Sequence, residues 1–143
     1  MKNLKTPWKK SRRHTPDRRG ATVVEFAIVA SVFFVVVSAS VEFVRLNVIR
    51  HTADNAAYEA ARDAMVPGAT AAEAIAKANS ILNVVGTRGA TVTITPPVLN
   101  PDIPEVNVRI DIPLNPNGWI TPKFTSGKSL TVQSTLRKER VPQ

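Results

Sequence analysis

A single carboxylate, Glu25, stands inside an otherwise uncharged apolar run, five residues after Gly20 and directly before Phe26. A charged side chain in lipid costs about 2.5 kcal/mol or more at the bilayer centre, and ionisable groups there usually have a partner and a task. The chemistry open to Glu25 is electrostatic: an anion in a low-dielectric zone can hold a nearby cation. Bond-making chemistry finds no support elsewhere in the chain. There is no cysteine, which excludes disulfides and thiolate nucleophiles. The two histidines, His14 and His51, lie far apart in sequence. Neither a Gly-x-Ser-x-Gly elbow nor a phosphate-binding glycine loop occurs, and Gly86-Thr87-Arg88-Gly89 reads as a turn. Asp102 and Glu105 flank prolines and read as solvated surface. Arg109 and Asp111 read as an exposed pair on the polar face of a strand. The expectation is a protein that is not an enzyme, with no metal, no cofactor and no small-molecule substrate.

The segments around Glu25 define its setting. Residues 1–20 carry Lys2, Lys5, Lys9, Lys10, Arg12, Arg13, Arg18 and Arg19 against Asp17, a net +7 of the chain's +8. The basicity therefore belongs to a leader and not to the body of the protein. A basic tail can bind nucleic acid, but directly before an apolar run it reads as an orientation signal, so no nucleic-acid partner is expected. Val23 to Val41 is about 19 residues long with Glu25 as its only charge, close to the roughly 20 apolar residues that cross a bilayer as a helix. Its valines favour strands in water. In lipid every backbone group must be paired internally, which leaves the helix. Ser31, Ser38 and Ser40 are tolerable because a helical serine bonds back to the preceding turn. Only Arg45, Arg50 and Arg62 follow within the range that counts for orientation, so the N-terminus is expected in the cytoplasm and the rest exported. Trp8 suits a membrane interface.

Three readings of this segment stand side by side. It is a plain signal anchor; or a secretory signal peptide cut after Ser40, with small residues at Ser38 and Ser40; or a leader cut after Gly20 with the helix retained. The third rests on a resemblance. GATVVEF, Gly20 to Phe26, resembles the type IV prepilin processing site: glycine before the cut, glutamate fifth and an aromatic sixth after it. The order RRGATVVEFAIV, EFVRLNVIRHTADNAAYEAARDAMVPGAT, β-like segments and LRKERV resembles the TadE-like family of tight-adherence (Flp-type) pilus systems, over roughly residues 18–140 and most strongly over 18–70. The resemblance implies Gly20 and Ala21 as the processing site, and Glu25 and Phe26 as the assembly and register residues. A cut after Gly20 creates an α-amino group on Ala21. With staggered helices, Glu25 of one subunit then pairs with the amine of its neighbour. Without that role, Glu25 snorkels to the interface or caps the helix start. The resemblance implies partners: the lipid bilayer, a prepilin peptidase, other pilins or pseudopilins, and the assembly platform.

Beyond the membrane the helical period persists. Phe43, Leu46, Ile49, Ala53, Ala56, Ala57, Ala60 and Ala61 recur at spacings of three and four, and Pro67-Gly68 stops the helix. The expected helix runs from about Thr22 to Met65. Its alanine stripe is expected to pack on the domain's own sheet, and His51 to lie on the surface. Thr70-Ala71-Ala72-Glu73 reads as a capping box opening a short helix to about Val85. There Ile75, Ala78, Leu82 and Val85 share one side, and Gly86 ends it. Period-two alternation then marks strands at Thr91–Thr95, Glu105–Ile112 and around Leu130–Leu136. A turn-rich loop holds Asn115-Pro116-Asn117-Gly118, Trp119 and Phe124; the two aromatics either form a recognition surface or cover the open end of the sheet. The expected fold is α+β and pilin-like: a long N-terminal helix, one short helix and a small antiparallel sheet of about three strands. The expected organisation is a basic cytoplasmic leader (1–20), a transmembrane helix (21–44), a projecting amphipathic helix (45–66) and an exported α+β domain (67–143). The whole reads as a single-pass inner-membrane TadE-like minor pilin or pseudopilin acting in pilus assembly. A secreted domain released after Ser40 and an unprocessed anchored protein remain the alternatives.

Overall fold

The computed structural model describes residues 18–100, 102–118 and 127–138. Trp8, His14, Trp119, Phe124 and the closing Glu139, Arg140 and Val141 of LRKERV lie outside them. The elements are α1 (Arg18–Ala64), α2 (Ala71–Val84), β1 (Thr91–Thr95), β2 (Glu105–Pro113) and β3 (Ser129–Arg137). This is the expected α+β architecture, with a long N-terminal helix, one more helix and a three-stranded antiparallel sheet in the order β1-β2-β3. The chain divides into two units, Met1–Val36 and Val37–Gln143.

In the first unit the described residues are helical throughout. The helix begins at Arg18, four residues before the expected Thr22, and runs through Gly20 without a break. Apolar side chains stand out on all sides: Val23, Val24, Phe26, Ile28, Val29, Val32, Phe33, Phe34, Val35 and Val36 are all exposed. A helix apolar all round belongs in a protein core or in lipid, and this one has no core around it. From Gly20 to Ala64 this helix is long and apolar enough to cross a membrane, with mean hydropathy 2.4 over its most apolar window. Ser31 Oγ donates to Ala27 O at 2.8 Å, so its hydroxyl is satisfied by the preceding turn, as expected.

In the second unit the core is one cluster. Ile49, Ala53, Ala56, Ala57, Ala60, Ala61 and Ala64 of α1 share it with Ala74, Ala78 and Leu82 of α2 and with Ile94, Val106, Val108, Ile110, Ile112 and Val132 of the sheet. The alternation of β2 drives this arrangement: its four apolar residues are all buried, because side chains two apart share a face. Register places Ile94 opposite Val108, Val106 opposite Leu136, and Ile110 opposite Val132. The alanines of α1 are buried in this same cluster, so the stripe packs within its own domain. The other face carries polar pairs. Asn107 donates to Thr135 at 2.6 Å, and Arg109 grips Asp111 through two hydrogen bonds of 2.8 and 3.0 Å. Glu105 stands at the start of β2 and accepts from Arg137.

One expectation is corrected. The expected stripe on α1 includes Phe43, yet Phe43 is 68% exposed and Glu42 is 2% exposed. Glu42 lies seven residues before Ile49, two turns back on the same face, whereas Phe43 is rotated about 100° from it. The face is set by where the sheet lies, and a polar residue occupies its first position.

Candidate functional site

Gly20, Ala21, Glu25 and Phe26 lie on the first turns of α1, in the first unit. In a helix, residues four apart share a face, so Ala21 and Glu25 are stacked on one side, about 6 Å apart along the axis. All four residues are exposed. Glu25 makes no hydrogen bond or ion pair among the described residues. It is not a helix cap either: α1 starts at Arg18, with no acid in its first turn.

Gly20 is unconstrained by its surroundings. A Cβ built there meets nothing within 4 Å among the described residues, and its φ lies outside the left-handed region, unlike Gly68, Gly86, Gly89 and Gly127. Gly inside a helix costs about 1 kcal/mol relative to Ala. Neither packing nor backbone geometry therefore explains why glycine stands at this position. Residues 20–62 match the family model for TadE-like protein. The TadE-like match begins at this glycine and takes in Ala21, Glu25, Phe26 and most of the alanine stripe. It covers about three-tenths of the chain, and the whole sheet lies outside it. No curated protein and no solved structure gives a significant match to the chain.

The second unit holds a polar clasp that sequence reasoning passed over. Asn117, read as part of a turn-rich loop, is fully buried. Its Nδ2 donates to Arg88 O at 2.8 Å and Pro113 O at 2.7 Å, and its Oδ1 accepts from the Arg88 N–H at 2.8 Å. Its own carbonyl accepts from Arg45 Nε at 2.8 Å. One side chain thus ties the turn after α2 to the end of β2, and its backbone ties that corner to α1. Gly89 lies in the same corner at φ +69°, where a Cβ would sit 3.2 Å from Pro113 Cγ, so here glycine is structurally required. The sequence signal was the Asn-Gly pair, which also marks any exposed turn; burial is what distinguishes this one.

Two carboxylates of the second unit are held by local hydrogen bonds. Glu73 is held below the usual carboxylate range by the Thr70 backbone N–H and then by the Thr70 hydroxyl. Asp111 is lowered first by the Arg109 guanidinium and then by the Thr131 hydroxyl. Among the described residues, no group of three or more His, Cys, Asp or Glu could hold a metal ion. His51 is exposed on α1, and Asp102 is exposed in its loop.

Proposed function

We propose that this protein is a TadE-like minor pilin or pseudopilin, inserted with its N-terminus in the cytoplasm and cut after Gly20 by a prepilin peptidase. It then takes part in assembling a surface adhesion pilus or its secretion machinery. The observation that carries the reading is Gly20. It is a helical glycine that no contact among the described residues and no backbone angle requires, at the start of the TadE-like match, after a basic leader and five residues before a lone carboxylate. A peptidase that needs glycine itself before the cut supplies the missing reason. Glu25 then serves assembly. Cleavage exposes the Ala21 amine, and a staggered neighbour brings its own amine to the Glu25 carboxylate. Catalysis belongs to the partners: the peptidase, the assembly machinery and the membrane platform.

Intact-mass measurement of the chain isolated from its own membranes tests this directly. A mature N-terminus at Ala21 supports the proposal. One at Val41 means release by signal peptidase, and a full-length chain means an uncut anchor. Gly20→Ala is expected to leave a product about twenty residues longer, since the leader is retained. The substitution replaces a poor helix former with the best one, so accumulation of precursor cannot be ascribed to a damaged fold.

A further inference from the structure

Between Val41 and Ile49 the two sides of α1 differ sharply in character. Glu42 is 2% exposed and Ile49 1%, so one side is packed into the domain. Arg45 Nε donates to Asn117 O at 2.8 Å, which turns its guanidinium toward the domain as well. The opposite side is open and apolar: Val41, Phe43, Val44 and Val48 are 50%, 68%, 60% and 47% exposed. The next exposed positions are Arg50, His51, Asp54 and Asn55, all polar. A mainly apolar groove of about 250 Å³ opens at the same level, lined by Phe43, Leu46, Leu114 and Leu130 with Asn47, Arg50 and Ser129. Arg50 makes no ion pair among the described residues.

An apolar collar rimmed by a cation suits hydrocarbon capped by phosphate. We infer that the outward face of α1 stays in the bilayer as far as Val48, with Arg50 at the phosphate level of an anionic phospholipid. The outward turns of α1 up to Val48 are then covered by lipid and are not a free helical stalk. The inference rests on the membrane-span reading above. Three observations favour lipid as the occupant. The collar continues, on the same helix, the apolar run that precedes it in sequence. The two charges within the collar's residues, Glu42 and Arg45, are the ones turned to the domain. Length also agrees: Phe26 to Val48 rises about 33 Å as a helix, against about 30 Å of hydrocarbon, whereas Val23 to Val41 supplies about 27 Å. Moving the exported boundary outward leaves Glu25 at the cytoplasmic edge, where a carboxylate is less costly.

The chain has no cysteine, so single-cysteine spin labels report one site each. Labels at Val35, Val44, Val48 and Asp54 are placed in the full chain, in vesicles of phosphatidylethanolamine and phosphatidylglycerol. Collision rates with oxygen, which partitions into lipid, are compared with those of a water-soluble nickel chelate. The expected result is oxygen preference at Val35, Val44 and Val48, and nickel preference at Asp54. Nickel preference at Val44 and Val48 with Val35 still in lipid overturns the inference and leaves the span intact. Low accessibility to both reagents at Val44 and Val48 also overturns it, since a protein neighbour then covers the collar. Nickel preference at Val35 overturns the span, and the inference with it.

Discussion

Gly20 and Glu25 are set apart by what the fold does not ask of them. Val108 and Ile110 are fixed by the sheet, and Gly89 by its backbone angle and by Pro113. No comparable demand acts at Gly20 or Glu25, so their roles are sought outside the chain. Glu25→Gln keeps size and shape and removes the charge. The cut after Gly20 is expected to persist, while co-isolation of the processed chain with pilus components from detergent falls about tenfold, as for loss of a pair worth about 1.4 kcal/mol. Quantitative immunoblotting of both fractions checks it; unchanged co-isolation would sink the pairing role. Asn117 is the opposite case, a residue held by the fold from every side. Asn117→Ala strands the Arg88 N–H and two carbonyls in a buried corner, so a loss of about 2–4 kcal/mol is expected. Thermal unfolding in detergent micelles measures it, and a change below about 1 kcal/mol would show that water satisfies the corner.

At the scale of elements, α2 depends on its first turn. The Thr70 hydroxyl accepts from the Glu73 N–H at 3.3 Å, and the Glu73 carboxylate accepts from the Thr70 N–H at 3.0 Å. Because the folded state lowers the Glu73 pKa, its contribution is complete above the ordinary value of 4.5 and is lost as pH falls through the lowered one. Glu73→Gln keeps a capping-box side chain but does not titrate. Its unfolding midpoint is therefore expected to fall less steeply than wild type below about pH 4.5; parallel curves would contradict this. Asp111, also lowered, contributes in the same direction in both proteins. These elements were legible because their signals are local. The capping box spans four residues, and the alternation of β2 runs unbroken from Val106 to Ile112. What escaped depended on distant geometry. Whether Glu42 or Phe43 faces inward is a rotation of about 100°, decided by the position of the sheet. Asn117 looks like any turn asparagine until Arg45, Arg88 and Pro113 are brought around it. Glu25 was legible as an anomaly, while no partner for it stands among the described residues.

For the whole molecule, the dominant asymmetry is electrostatic. Nearly all of the net +8 lies before the apolar run, and the body of the chain is close to neutral. Positive charge flanking a span is retained in the cytoplasm. Arg45, Arg50 and Arg62 on the other side are too few to oppose eight leader cations, and Arg45 is bonded within the domain. The sheet should therefore face outward. Gln133 is an exposed residue of β3, on the polar face away from the core, and the chain has no other thiol to compete. In a Gln133→Cys variant, a membrane-impermeant maleimide is expected to label intact spheroplasts as fully as lysed ones. Replacing Lys9, Lys10, Arg12 and Arg13 together with glutamine weakens the bias without touching the Gly20 site, so the labelled fraction in intact spheroplasts should fall. If Gln133→Cys reacts only after lysis, the domain is cytoplasmic. The Gly20 bond would then lie on the outer side, beyond the reach of a peptidase acting at the cytoplasmic face, and the proposed pilin role would fail with the orientation.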